Sequence, residues 1–209
     1  MEDLVTTLRS IKILPVLTVR SVEEALGLVG ALRDGGLKAV EITLRTPVAL
    51  EALSHVKQAF PELIISAGTI SNAKDVEIVT AIGVDFAVSP GLTPTILTSA
   101  KENNLTLLPG VATPSEVLLG MEWGLNCFKL FPAEAVGGIA LLKALAAPLA
   151  SISFCPTGGV NQNNLADYQA LPNVVCVGGS WMVNQTALNS KDWPAISAAA
   201  RTSMEHCTS

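Results

Sequence analysis

A carboxylate, a hydroxyl and a guanidinium recur at every second residue in one short stretch of this chain. Glu41, Thr43 and Arg45 alternate with Val40, Ile42 and Leu44, so on an extended segment the polar set shares one face and the apolar set the other. Cys127 and Lys129 alternate in the same way with Phe128 and Leu130. If the apolar faces meet helices, an amine and a carboxylate project together into the opposite space. An amine among apolar walls is disfavoured as ammonium, and as the free base it attacks ketones and forms a Schiff base. Lys129 can equally be one half of a buried ion pair with Glu41, and the two roles are compatible. Glu41 and Arg45 can also be read as a salt bridge at a rim.

A second set of residues suits an anion. Thr157-Gly158-Gly159-Val160 and Gly178-Gly179-Ser180 each precede a helical pattern. Glycine lets the backbone approach an anion closely, and backbone N–H groups at a helix start are a common phosphate site. One Gly-Gly pair is simply a tight turn; two, at corresponding places in the chain, point to phosphate. Gly68-Thr69, Ser89-Pro90-Gly91 and Pro109-Gly110 are turn chemistry, and of these Thr69 is placed to help Arg45 hold a substrate carboxylate. His55 reads as a solvated helix residue paired with Glu51, and Trp181 and Trp193 as packing residues.

The elements that must position these groups are regular. Eight apolar runs, ILPVLTV, KAVEIT, LIISAGT, FAVSPG, LTLLPG, CFKLFP, SFCPTGG and VVCVGGS, alternate with amphipathic segments. Markers at Val16, Glu41, Ser66, Ala87, Leu108, Lys129, Cys155 and Cys176 are separated by 25, 25, 21, 21, 21, 26 and 21 residues. That spacing is a repeated strand-and-helix unit, hence parallel βαβ connections. Ser21 with Glu24, and prolines at Pro47, Pro94 and Pro114, mark helix starts; Gly35 with Gly36, Gly83 and Gly124 mark stops. Eight units favour an α/β fold of the (β/α)8 TIM-barrel type over an open sheet. The whole of residues 1–209 is expected to be one domain, with an extra amino-terminal helix over Asp3–Arg9 and a last helix over Trp193–Met204. In such barrels the site lies at the carboxyl ends of the strands, where the polar residues above fall.

Composition narrows the function further. The 209 residues are 49% hydrophobic and 15% charged, with mean hydropathy +0.47. That excludes a disordered chain, and every apolar run is broken before the roughly 20 residues of a membrane span. With 13 Lys+Arg against 18 Asp+Glu the net charge is −5, and no basic run offers a nucleic-acid surface. Cys127, Cys155, Cys176 and Cys207 have no CxxC spacing and read as thiols, not zinc ligands, and neither histidine joins a metal-ligand set. The opening MEDLVTTLRSIK mixes acids and bases without a signal-like run, so a cytoplasmic protein is expected.

Taken together, VEITLRTP, SAGT, AVSPG, FKLFPAE, FCPTGG and GGSW resemble the bacterial class I family of 2-keto-3-deoxy-6-phosphogluconate aldolases, which also act on 4-hydroxy-2-oxoglutarate. The resemblance runs from Leu14 to Trp181. It implies reversible cleavage of the phosphorylated keto acid to pyruvate and glyceraldehyde 3-phosphate, with no metal or cofactor, by a homotrimer. It assigns the Schiff base to Lys129 and general acid and base work, through a water, to Glu41. Arg45 and Thr69 would hold the pyruvate carboxylate, Pro90 and Phe131 would wall the amine, and Thr157 would govern facial selectivity at the aldehyde. Gly158, Gly159, Gly179 and Ser180 would take the phosphate. An aldolase for the epimeric phosphogalactonate substrate and a noncatalytic metabolite-binding barrel are the competing expectations.

Overall fold

The β-branched and apolar runs become strands because each is buried on both faces, as parallel strands covered by helices must be. The structure, a computed structural model, describes residues 4–207. Its strands are β1 (Ile13–Leu17), β2 (Ala39–Thr43), β3 (Ile64–Gly68), β4 (Phe86–Ser89), β5 (Leu107–Val111), β6 (Cys127–Leu130), β7 (Ser153–Pro156) and β8 (Val177–Gly179). The helices are α1 (Leu4–Ile11), α2 (Val22–Asp34), α3 (Ala49–Ala59), α4 (Ala73–Ile82), α5 (Pro94–Glu102), α6 (Pro114–Glu122), α7 (Gly138–Ala146), α8 (Leu165–Gln169), α9 (Gln185–Asn189) and α10 (Trp193–Glu205).

All strand pairs are parallel, in the order β7-β6-β5-β4-β3-β2-β1-β8. Isolated bridges, Phe154 to Val174 and Thr157 to Gly178, bring β7 to β8 and close the ring. The result is a (β/α)8 barrel. The run entering β8 is therefore not all strand: Val174, Val175 and Cys176 precede it, and Val175 N–H donates to Phe154 O at 3.0 Å across the closing seam.

Two apolar clusters follow from the period-two pattern. Val40, Ile42, Phe128 and Leu130 face outward and pack beneath the helices. Leu14, Ala39, Phe86, Val88, Leu108, Cys127, Cys155 and Cys176 face inward and fill the barrel's amino-terminal half. Leu8 and Ile11 of α1 join the inner cluster at 0% and 1% exposure and stop that end of the barrel. Burying each contributes about 2 kcal/mol. Their burial explains why α1 runs to Ile11, beyond the expected end at Arg9; Asp3 lies outside the described residues.

Helix boundaries follow local chemistry. The Ser21 hydroxyl accepts from Glu24 N–H, and Thr113 with Glu116 forms a reciprocal capping box ahead of Pro114. Pro94 likewise opens α5, whereas Pro47 lies in a turn and α3 starts at Ala49. Gly35 and Gly83 cap α2 and α4, and Gly124 follows the last residue of α6 by two. The His55 ring meets the Glu51 carbonyl at 2.9 Å, not its carboxylate. Trp181 donates to Ser203 Oγ at 2.9 Å and Trp193 lies against Gly27, both as packing residues.

Candidate active site

Ala39 and Cys127 belong to the inner cluster, and two residues further along the same faces stand Glu41 and Lys129. On β2 and β6 they rise from opposite walls of the barrel, and their side chains meet inside it. Lys129 Nζ lies 3.3 Å from Glu41 Oε1 and 3.4 Å from Oε2, with the two residues 4% and 1% exposed. Their polar neighbours do not compete for this pair. Ser66 Oγ donates to Val40 O at 3.1 Å, and Thr43 Oγ1 donates to Leu17 O at 2.8 Å. The Phe131 ring covers the ammonium at 5.3 Å, giving the amine an aromatic lid. Removing either partner of such a buried pair costs about 3–5 kcal/mol, so each fixes the other's position.

Above the pair, Arg45 Nε donates to Thr69 Oγ1 at 3.0 Å. Thr69 stands at φ +64°, strained for a β-branched residue, and this aims its hydroxyl at the guanidinium. Glu41 binds Lys129 and Arg45 binds Thr69, so the salt bridge read between Glu41 and Arg45 is not formed. Thr18, just past β1, meets Thr43 Oγ1 at 3.0 Å. Its only signal in the sequence is a polar residue next to last in ILPVLTV.

The glycine loops complete the mouth. Val16, Arg45, Lys129, Phe131, Thr157, Gly158, Gly159, Val160, Gly179 and Ser180 line one cleft of about 160 Å³. Thr157 sits deep in it because Gly178 opposite has no side chain; a Cβ there would stand 2.2 Å from Thr157 Oγ1. The helix starts expected directly behind these loops are absent. Helices α8 and α9 begin only at Leu165 and Gln185 and are five residues each. The backbone donors available at this end of the cleft are therefore loop N–H groups and not those of a helix terminus. Pro90 is exposed and lies outside the cleft, its carbonyl packed where a Cβ on Gly110 would come within 2.3 Å.

A larger hollow of about 430 Å³ lies at the opposite end, among Leu4, Lys101, Trp123 and Asn126, and none of the polar set lines it. Size therefore does not locate the chemistry. The cleft where an amine, a guanidinium and unengaged backbone donors converge is the one equipped to bind a carboxylate at one end and a phosphate at the other.

Comparison with known proteins gives a consistent picture. A family model described as aldolase, KDPG and KHG aldolase, matches residues 4–199. The chain is 46% identical over 196 residues to the 2-dehydro-3-deoxy-phosphogluconate aldolase of Dickeya dadantii, covering 94% of this chain and 92% of that protein. Among solved structures, the KDPG aldolase of Legionella pneumophila, with pyruvate captured at low pH as a covalent carbinolamine, superposes with TM-score 0.93 at 40% identity. That match covers 97% of this chain and 98% of the other. The 2-keto-3-deoxy-6-phosphogluconate aldolase of Zymomonas mobilis, with 3-phosphoglycerate, gives 0.90 at 38% identity, covering 95% and 94%.

Proposed function

The chain belongs to the KDPG and KHG aldolase family, and from that premise we propose that it is a class I aldolase cleaving 2-keto-3-deoxy-6-phosphogluconate to pyruvate and glyceraldehyde 3-phosphate. The observation that carries the reading is the contact of Lys129 Nζ with Glu41 at 3.3 Å inside the barrel, beneath the Phe131 ring. The carbinolamine of the Legionella relative supports the same chemistry here.

The steps follow from the groups present. The Lys129 amine adds to the C2 ketone, giving a carbinolamine that loses water to a protonated imine. Glu41, acting through a water, accepts the proton of the C4 hydroxyl. The C3–C4 bond then breaks, its electron pair flows into the imine as an enamine, and C4 leaves as the aldehyde. Protonation at C3 and hydrolysis release pyruvate and restore the amine. Arg45 with Thr69 holds the keto-acid carboxylate. Gly158, Gly159, Gly179 and Ser180 receive the phosphate, and Thr157, which lines the same cleft as they and the amine, faces the aldehyde and governs its facial selectivity. The short carbon chain of 4-hydroxy-2-oxoglutarate needs only the first half of this site.

The same reading makes the active form a homotrimer acting in the cytoplasm. Leu118, Met121 and Trp123 are exposed apolar side chains on and just after α6, which supports self-association. Cys155, Cys176 and Cys207 are free thiols, which suits a reducing compartment. No described helix is long and apolar enough to cross a membrane.

Peptide mass spectrometry after incubation with pyruvate and borohydride tests the chemistry. A reduced pyruvyl adduct on Lys129 is expected, and a folded protein without one would refute the imine mechanism. Sedimentation equilibrium tests the trimer.

A further inference from the structure

The glycine turn at the phosphate end of the cleft is held from outside the cleft. Gly158 and Gly159 stand at φ +99° and +85°, and glycine alone does not keep that conformation because negative φ is equally accessible to it. The turn's carbonyls are all engaged. Thr157 O accepts from Ala133 N–H at 2.8 Å and Gly158 O from Glu134 N–H at 3.0 Å. Gly159 O accepts from Asn161 Nδ2 at 3.1 Å and Asn164 Nδ2 at 3.2 Å. Gly158 N–H faces Gly178 across the bridge of Thr157 to Gly178, and among the described residues no acceptor meets the N–H of Gly159. That donor is left to the ligand.

Glu134 runs alongside them. A Cβ on Gly159 would stand 2.4 Å from Glu134 Cγ, so the stem of this side chain packs against the turn itself. Its carboxylate accepts a hydrogen bond from the phenol of Tyr168, a fully buried residue of α8. Gly138 clears the space for that bond, since a Cβ there would come within 2.6 Å of the phenol oxygen and 2.8 Å of Glu134 Oε1. Burial, and then Glu134 itself, push the phenol's pKa up, which keeps it a donor. A carboxylate released beside the unengaged Gly159 N–H would compete with an incoming anion for it and repel the anion.

We infer that Tyr168 and Glu134 form a strut that sets the Gly158–Gly159 turn for phosphate and holds the Glu134 carboxylate away from it. They are positioning residues, and the inference rests on the proposed placement of the substrate phosphate at this turn. Its signature is selective. Loss of the strut weakens recognition of the phosphate and leaves the amine chemistry of the pyruvate end untouched.

The test compares wild type with Tyr168→Phe, Glu134→Ala and Glu134→Gln. Three quantities are measured: KM and kcat on the phosphorylated substrate, competitive inhibition by inorganic phosphate, and the pyruvate concentration that half-saturates borohydride trapping. Tyr168→Phe and Glu134→Ala should raise the KM and the phosphate inhibition constant about ten-fold, the equivalent of one charge-assisted hydrogen bond. Half-saturation by pyruvate should stay within about two-fold, and Glu134→Gln, which keeps an acceptor for the phenol, should restore most of the affinity. Equal losses at both ends, or variants indistinguishable from a phosphate-sensitive wild type, would overturn the strut. Wild type that forms no pyruvate adduct would instead overturn the aldolase reading, so the two failures are separable.

Discussion

Gly68 on β3 makes room for Glu41 on β2: a Cβ at residue 68 would stand 2.1 Å from Glu41 Oε1 and 2.7 Å from its Cδ and Cγ. The carboxylate meets Lys129 because its neighbour on the next strand has no side chain. Gly68→Ala should force the carboxylate off the amine and lower kcat about 10²-fold, the usual effect of a misplaced catalytic group. Steady-state kinetics beside circular dichroism check this. Unchanged kcat in a folded variant would mean that the proton transfers do not depend on this placement.

Lys129→Arg keeps a cation opposite Glu41, so the barrel should fold, but a guanidinium is a poor nucleophile towards a ketone. Cleavage should fall by about 10⁴-fold or more, with no borohydride-stable adduct. Turnover near the wild-type rate would require another nucleophile.

Ser180→Asp puts a negative charge into the lining of the cleft, beside the glycine loops proposed for the phosphate. KM for the phosphorylated substrate should rise by about 10- to 100-fold, while 4-hydroxy-2-oxoglutarate changes by about two-fold at most. Parallel losses on both substrates would move the phosphate away from Ser180.

Alkaline pH should loosen the barrel from within. Burial, and then the adjacent Cys155, push the Cys176 thiol well up, so the native state holds this proton more tightly than the unfolded chain does. That contribution is complete below the thiol's ordinary range and is lost as pH rises through and above it. The melting temperature should therefore decline above about pH 8.5, and less steeply in Cys176→Val. Differential scanning calorimetry across that range checks both curves, and identical slopes would assign the decline to other groups.

Much of this site is legible in the sequence because strands have a period of two. The alternation around Glu41 and Lys129 is enough to send both inward, and parallel strands leave no other face for Ile42 or Phe128 than the helices. What alternation cannot carry is partnership. That Thr43 spends its hydroxyl on Leu17 O depends on the register that sets Val16 beside Glu41, and Tyr168 reaches Glu134 only through the folded chain. The late start of α8 behind the first glycine loop has a local cause. Asn164 Oδ1 accepts from Asn161 N–H at 2.8 Å and Asn161 Oδ1 from Asn163 N–H at 2.9 Å. These side-chain bonds offer the backbone an alternative to the helix and delay it until Leu165.

Leu8 and Ile11 stopper the amino-terminal end, so among the described residues the way into the barrel lies at the carboxyl ends of the strands. On the proposed mechanism the three-carbon fragment stays tethered to Lys129, deeper than the glycine turns proposed for the phosphate. That proposal carries an order with it, last in and first out: the aldehyde would depart before pyruvate on cleavage, and pyruvate would enter before the aldehyde on synthesis.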